Sequence, residues 1–252
     1  MKMKKMVFAA ILFVCALSVT SAQAGDVNLS AAASLKDAMK EIIEGFKKVQ
    51  PDANILTNFG ASGALAKQTA QGAPTDIFIS ANQQWLDFII KEGKADAKMQ
   101  GVFAYNKLVF VGKKGLSVKA LADLKSLQRV AVGTPASVPA GQYAEQALRG
   151  SGIYEELQKE NKLVMAQDVR QALMYADRAE VDGAFVYQTD AMMAKEATIL
   201  MTVPDDLYDR VSYPMAITLA GAAKAEAKAF YSYLAGAEAL EILKKFGFVT
   251  VK

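Results

Sequence analysis

The sequence predicts an α/β protein of two lobes, in which mixed, mostly parallel sheets are flanked by helices. Strand and helix patterns alternate through nearly the whole chain, which is typical of such sheets. A length of 252 residues suits two lobes or one large domain. The order of the elements assigns residues 25–104 and 215–252 to lobe 1 and residues 105–214 to lobe 2. Hinge crossings are expected near 105–113 and 208–219.

The N-terminus has the pattern of an export signal. Three early lysines precede eleven apolar residues over Val7–Leu17, and a small-x-small cleavage pattern ends at Ala24. The apolar run is far shorter than the ~20 residues of a membrane span. We therefore expect a signal peptide over 1–24, a periplasmic location and a mature chain of 228 residues (252 minus 24). Val14 before Cys15 matches a lipid-attachment site poorly, so a lipoprotein is the disfavoured alternative.

The composition excludes several classes of function. The chain has no histidine, and its one cysteine, Cys15, lies in the predicted signal. Ser-His-Asp catalysis, Cys-His catalysis and histidine-liganded metal sites are therefore excluded. Without the three signal lysines, 26 basic residues (29 minus 3) balance 26 acidic ones, and no basic cluster suggests nucleic acid. A secreted enzyme is a disfavoured alternative, and no cofactor is expected.

The first part of the chain predicts strand–helix units in series. A short apolar strand from Asp26 leads into an amphipathic helix from Leu35, whose apolar residues recur at i, i+3, i+4 and i+7. Ser34 is placed as the N-cap of this helix. Further strands are predicted at Asn54–Phe59, Asp76–Ala81 and Leu108–Val111, and helices at Ser62–Gln71 and from the cap Asn82 to Gly93.

The second part repeats the alternation. Strands are predicted at Arg129–Gly133, Leu163–Met165, Gly183–Tyr187 and Ile199–Val203. Helices are predicted at Pro139–Arg149, Asp168–Arg178, Gln188–Ala194, Ala223–Leu234 and Ala237–Phe246. Val211–Leu219 has strand composition but contains Pro214, which favours an edge strand or a crossing segment.

Four strand-to-helix junctions share one chemistry. They lie at Ser34, Ser62, Ala140 and Val169, where N–H groups at helix starts can hold an anion. The two serines add hydroxyls. Two junctions come from each predicted lobe, so lobe closure would gather them around one small anion. Tyr187, at the end of a strand, would add a phenolic O–H.

Each of these residues also has a purely structural interpretation. Ser34, Ser62 and Asp168 suit helix N-caps, and Tyr187 suits a half-buried sheet position. Arg170, directly after Val169, could reach the anion or form an ion pair between the lobes.

Motifs around these junctions resemble the periplasmic molybdate-binding proteins of ABC importers. The matching stretches are AAASL at 31–35, FGASGALAKQ at 59–68, GAPTDIFISA at 72–81, VGTPASVPAGQYA at 132–144, DVRQAL at 168–173, FVYQTDA at 185–191, VSYPMAI at 211–217 and KFGF at 245–248. The resemblance covers essentially the whole mature chain. It implies the type II periplasmic-binding-protein fold, a monomer, and delivery of molybdate or tungstate to a membrane permease.

The resemblance also implies the ligand contacts. These fall on Ser34, Ser62, Ala140, Val169 and Tyr187, with Gly63 and Arg170 as possible additions. Molybdenum would be held as its oxyanion, without direct protein ligands to the metal.

A site of this kind suits a fully ionised tetrahedral dianion. Such an anion needs only donors, whereas phosphate keeps a proton near neutral pH and needs an acceptor. No carboxylate falls on the five contact positions, which disfavours phosphate. A sulfate receptor or a tungstate-selective one is the alternative within the class. The regulatory half of a transcription factor is excluded by the export signal.

Overall fold

The computed structural model describes residues 25–250, and the predicted signal peptide lies outside them. The described chain forms strands that alternate with helices. The strands are β1 (Asp26–Ala32), β2 (Asn54–Gly60), β3 (Ile77–Ile79), β4 (Ala95–Tyr105), β5 (Leu108–Lys113), β6 (Val130–Gly133), β7 (Leu163–Ala166), β8 (Gly183–Tyr187), β9 (Ala197–Thr202), β10 (Ser212–Thr218) and β11 (Val249–Thr250).

Helices pack against the strands of both sheets. They are α1 (Lys36–Val49), α2 (Ser62–Ala70), α3 (Gln83–Lys91), α4 (Pro139–Gly150), α5 (Tyr154–Lys159), α6 (Val169–Asp177), α7 (Gln188–Ala191), α8 (Ala225–Leu234) and α9 (Ala237–Lys245). The predicted apolar face of α1 is buried, including Met39, Ile42 and Phe46. Within residues 25–250, no helix is both long and apolar enough to cross a membrane.

The strands form two separate sheets. The first sheet has the order β11-β4-β10-β3-β1-β2, and the second has the order β7-β6-β8-β5-β9. Ladders β1–β2, β1–β3, β6–β7 and β6–β8 are parallel, and the ladders made by β5 and β10 are antiparallel. The predicted mixed α/β class is confirmed, but the sheets are not mostly parallel. Strands β10 and β11 in the first sheet and β5 in the second run against the other strands of their sheets.

The chain passes between the two sheets twice. It leaves the first sheet after Tyr105 and enters the second at Leu108, and it returns over residues 203–211 before β10 begins at Ser212. Both passages carry polar side chains that form hydrogen bonds with neighbouring elements of the second sheet's side. Asn106, in the first passage, donates to Thr189 in α7.

The prediction of an edge strand at Val211–Leu219 is wrong, and the predicted crossing overlaps the return passage only up to Val211. Strand β10 lies inside the first sheet, between β4 and β3. Pro214 is tolerated there because a register shift against β4 falls between Tyr213 and Pro214, where a missing N–H breaks no regular ladder bond. The Pro214 carbonyl still accepts a hydrogen bond from Ser80 N–H at 3.0 Å.

Strand β4, helix α5 and the two-residue strand β11 have no counterpart among the predicted elements. Strand β4 is mostly exposed and polar over its first half, so it lacks the apolar alternation that marks a strand. Helix α5 is only six residues long. Strand β4 and helix α5 are held by tertiary contacts rather than by local pattern.

Candidate functional site

A small cavity lies where the carboxyl ends of parallel strands from both sheets meet. Its volume is about 10 Å³, far below the range of about 300–1,000 Å³ that holds drug-sized ligands, so the walls lie almost in contact. All five residues predicted as contacts line it: Ser34, Ser62, Ala140, Val169 and Tyr187. Most of the remaining lining is alanine, glycine, valine and proline. The walls can therefore approach a ligand closely, and few groups other than hydrogen-bond donors face it.

Ser34 does not cap a helix, contrary to the prediction. It lies in the middle of a 3-10 turn, Ala33–Leu35, and α1 begins only at Lys36. Its buried hydroxyl bonds the phenolic oxygen of Tyr213 in β10, at 2.8 Å. A side chain 179 positions away thus replaces the local backbone partner that the cap interpretation required.

Ser62 is the first residue of α2, and Ala61 holds the N-cap position without a side-chain bond. The Ser62 Oγ atom is fully buried and accepts a hydrogen bond from Ala81 N–H at 3.0 Å. A backbone N–H can only donate. The hydroxyl proton of Ser62 therefore stays available to a ligand in the cavity.

Ala140 and Val169 face the cavity at helix starts on the opposite side. Pro139 begins α4, a position that suits proline because the first N–H groups of a helix have no intrahelical acceptor. Asp168 caps α6 by accepting from Gln171 N–H at 2.9 Å, as predicted. Within residues 25–250, neither the Ala140 N–H nor the Val169 N–H is bonded to a protein acceptor, so both can serve an anion.

Tyr187 ends β8 and is buried, with 1 % of its surface exposed. Its phenolic oxygen has no hydrogen-bond partner among the described residues. Burial raises the pKa of Tyr187 well above its ordinary value, so the group is a neutral O–H donor near pH 7. A buried hydroxyl without a partner costs free energy, and a ligand that accepts from it would remove that cost.

Gly63 and Arg170 lie outside the cavity lining. The Gly63 N–H donates to the Ser137 carbonyl at 2.9 Å, which leaves it no hydrogen for a ligand. A Cβ at Gly63 would come within 2.5 Å of the Trp85 ring. Glycine is therefore required there by the close approach of α2 to Trp85 and to the segment before α4.

Arg170 joins the two sides of the cavity as an ion-pair centre. Its Nη2 atom lies 2.9 Å from Asp37 Oδ2 in α1, and its Nε lies 2.6 Å from Asp190 Oδ1 in α7. Arg170 Nη2 also donates to the Ser34 carbonyl at 3.3 Å. These contacts match the predicted ion pair between the lobes, and Arg170 does not line the cavity.

Asp190 is fully buried beside Arg170. Burial raises the pKa of Asp190 to about 6, although the Arg170 charge acts in the opposite direction. The contact is ionic rather than a well-aligned hydrogen bond, because Arg170 Nε and both Asp190 oxygens lack a directional partner among the described residues.

Direct contacts also close the cavity between the two sides. Tyr143 in α4 donates its hydroxyl proton to the Ala81 carbonyl at 3.2 Å, and Asn82 donates to Gln142 in α4. Together with the bond from Gly63 to Ser137, these contacts hold α2 and α3 against α4. The two sides are therefore in a closed arrangement around the cavity.

Sequence reasoning missed the groups behind the two serines. Tyr213 and Asn106 bond in series to Ser34, and the Ala81 N–H bonds Ser62. Tyr213 lies in the VSYPMAI stretch noted for the resemblance, which was the available signal. Within residues 25–250, no cluster of three or more His, Cys, Asp or Glu side chains is arranged to hold a metal ion.

Comparison with known proteins identifies the family. A family profile described as bacterial extracellular solute-binding protein matches residues 27–249. The chain belongs to this family. It is 38% identical to the molybdate-binding protein ModA of Escherichia coli (strain K12) over 92% of this chain and 91% of that protein. It is 32% identical to ModA of Haemophilus influenzae, over 94% of this chain and 95% of that protein.

A solved structure shows the same fold in a family relative. The Azotobacter vinelandii periplasmic molybdate-binding protein superposes with a TM-score of 0.80, covering 90% of this chain and 100% of that one at 24% identity. At that identity the likeness establishes the fold alone. The resemblance to molybdate-binding proteins expected from the motifs is confirmed by the two relatives above 30% identity.

Proposed function

We propose that this protein captures molybdate, and tungstate nearly as well, between two lobes and delivers it to the membrane permease of an ABC importer. The observation that carries the proposal is a small cavity lined mainly by hydrogen-bond donors, with Asp168 as the one carboxylate among its lining residues. Ser62, Tyr187, Ala140 and Val169 all line this one cavity of about 10 Å³, where they offer two hydroxyl and two N–H donors. The kinship with proteins named molybdate-binding supports the same ligand.

Charge supports a dianion bound by dipoles. The Asp168 carboxylate, which borders the cavity, is engaged as the cap of α6, and the Arg170 charge is paired with Asp37 and Asp190. A bound dianion would therefore be stabilised by the N-termini of α2, α4 and α6 and by charge-assisted hydrogen bonds. Molybdate is deprotonated at neutral pH and needs donors alone, whereas hydrogen phosphate brings a proton for which Asp168, already the cap of α6, is the one carboxylate at the cavity.

The binding cycle follows from the two passages between the sheets. We place lobe 1 on the first sheet and lobe 2 on the second, with a hinge at the two passages; the predicted division into 25–104 with 215–252 and 105–214 differs from this only near its boundaries, where Ser212–Pro214 belong to the first sheet. Ligand binding would favour the closed arrangement, because its donors come from both lobes. The chain acts as a monomeric carrier rather than as an enzyme, and the signal peptide is cleaved after Ala24 on export to the periplasm.

A calorimetric titration of the mature protein with molybdate, tungstate and sulfate tests the proposal. Molybdate and tungstate are expected to bind with similar affinity, and sulfate more weakly, because the same donors meet anions of different size. Sulfate binding with no molybdate binding would replace the proposal with the sulfate alternative. A large preference for tungstate over molybdate would instead indicate the tungstate-selective receptor.

A further inference from the structure

We propose that Asn106 and Tyr213 are positioning residues that orient the Ser34 hydroxyl as a donor toward the bound oxyanion. This inference rests on the proposed function and deepens it, because it names residues that decide which protonation state of an anion the site accepts. Asn106, Tyr213 and Ser34 together form a hydrogen-bonded series, the donor relay. Neither Asn106 nor Tyr213 lines the cavity.

The amide orientation of Asn106 is determined by its neighbours. The N–H of Lys107 donates to Asn106 Oδ1 at 2.9 Å, and a flipped amide would place an NH₂ group against that N–H. The Asn106 Nδ2 atom therefore carries the two remaining contacts, to Thr189 Oγ1 at 2.8 Å and to the Tyr213 phenolic oxygen at 3.3 Å. An amide NH₂ has only donors, so Tyr213 accepts from Asn106.

The direction of the next bond follows. The Tyr213 side chain is fully buried, and burial raises its pKa well above the ordinary value, so it keeps its proton. The Tyr213 oxygen accepts from Asn106, so its own proton is free to be donated. Ser34 Oγ, 2.8 Å away, is the acceptor. In the reverse direction, two donors would meet at the Tyr213 oxygen and the buried phenolic proton would have no acceptor among the described residues, which costs free energy.

The relay thus occupies an acceptor site of Ser34 Oγ and leaves the Ser34 proton for the cavity that Ser34 lines. Ser62 reaches the same state through the Ala81 N–H. Both serine hydroxyls are therefore oriented as donors toward the cavity. The Ala81 N–H orients Ser62, and the side chains of Asn106 and Tyr213 orient Ser34. With one of its two lone pairs occupied, each serine oxygen offers a protonated oxyanion fewer acceptor sites than a free hydroxyl would.

A double-mutant cycle tests the relay by calorimetry with molybdate. Ser34→Ala is expected to lower affinity about tenfold or more, because a hydrogen bond to a charged group is lost, and Tyr213→Phe by a similar factor. In the Tyr213→Phe background, Ser34→Ala should cost less than about threefold, since the hydroxyl is no longer oriented. If the two losses multiply independently, Tyr213 acts only as packing and the proposal is overturned.

Tyr231→Phe is the matched control. The Tyr231 hydroxyl donates to the Met99 carbonyl at 3.3 Å, in a bond that does not involve the cavity lining. In this background Ser34→Ala should have its full wild-type effect. A reduced effect here as well would show that loss of any tyrosine hydroxyl lowers the cost of Ser34→Ala, which overturns the relay.

Asn106→Asp tests the direction of the relay. A carboxylate keeps the acceptor for Lys107 N–H but cannot donate to Tyr213, so Tyr213 would donate to it and accept from Ser34. The Ser34 Oγ lone pairs would then face the cavity. The ratio of molybdate affinity to hydrogen phosphate affinity should fall at least tenfold, whereas Asn106→Leu should weaken molybdate binding without that shift. An unchanged ratio in folded Asn106→Asp overturns the proposal, and if this variant does not fold, the cycle decides.

The wild-type titration separates this inference from the proposed function. If wild type binds sulfate and not molybdate, the proposed function fails, and the same cycle run with sulfate still decides the relay. A wild type that binds neither anion overturns both.

Discussion

The two sides of the cavity supply donors of different kinds. The side built from the first sheet offers the hydroxyls of Ser34 and Ser62, and the side built from the second sheet offers the N–H groups of Ala140 and Val169 together with the phenolic O–H of Tyr187. A backbone N–H can only donate, and its direction is determined by the helix that it begins. A hydroxyl can donate or accept, and it rotates.

The hydroxyl side therefore needs supporting groups that the amide side does not. Tyr213 and the Ala81 N–H occupy acceptor sites of the two serines. On the amide side, the starts of α4 and α6 suffice for the two N–H groups, and the Tyr187 hydroxyl has no hydrogen-bond partner among the described residues. The difference shows that an anion site without a charged side chain can depend on residues that never contact the ligand. This holds where a donor is a hydroxyl, because a hydroxyl can rotate and can also accept.

The largest effect is expected from the hydroxyl side. Ser62→Ala should lower molybdate affinity about tenfold or more, since one hydrogen bond to a charged group is lost. It should also lower the free energy of unfolding of the ligand-free protein by about 1–3 kcal/mol, because the buried Ala81 N–H loses its acceptor. Calorimetry and denaturant melts measure the two losses, and an unchanged affinity would remove Ser62 from the site.

The amide side should tolerate a change of side chain but not loss of the N–H. Val169→Pro deletes the donor at a helix position that suits proline, after the extended residue Asp168. It should weaken binding about tenfold or more. Val169→Ala keeps the N–H and should bind within a factor of about two of wild type. Equal losses in both variants would show that the side chain, not the amide, matters.

A smaller effect is expected from the ion pair that joins the two sides. Asp37→Asn removes the charge 2.9 Å from Arg170, a pair formed between α1 and α6 in the closed arrangement. Partly exposed pairs contribute up to about 1 kcal/mol, so affinity should fall no more than about fivefold. The loss should shrink further at high salt. Glu44→Gln, which removes the exposed pair with Lys47 within α1, should leave affinity unchanged.

The smallest effect on binding, but a distinct pH signature, is expected from Asp190. Its pKa is raised to about 6 by burial, so the folded protein holds a proton that the unfolded chain has lost. Stability contributed by this group is therefore lost as pH rises from about 4 through 6. Relative to Asp190→Asn, wild type should lose roughly 1–3 kcal/mol of unfolding free energy between pH 4 and pH 7 in denaturant melts.

Asp177 provides a control of opposite sign. Burial raises its pKa, but hydrogen bonds from the N–H groups of Lys195, Glu196 and Ala197 lower it by more. Relative to Asp177→Asn, wild type should therefore lose stability as pH falls below about 4. Parallel trends for the Asp190 and Asp177 variants would contradict the assignment of Asp190.

Much of the site could be predicted from local pattern together with the family resemblance. Each of the five contact positions lies at the end of a strand or the start of a helix, and such positions are marked by alternation, small residues and helix-start residues such as Pro139. Carboxyl ends of parallel strands meet at one edge, so Ser34, Ser62, Ala140 and Val169 were expected together. The fold class followed from the same alternation.

The sequence alone determined the alternation of elements and the residue types at the junctions, because both depend on neighbours within a few positions. Only the tertiary structure decided what those residues bond. Ser34 bonds Tyr213, 179 positions away, instead of capping a helix, and Arg170 pairs with Asp37 and Asp190 instead of facing the cavity. The direction of a hydroxyl proton depends on every donor and acceptor packed around it. For Ser34, those groups come together only when the two sheets meet.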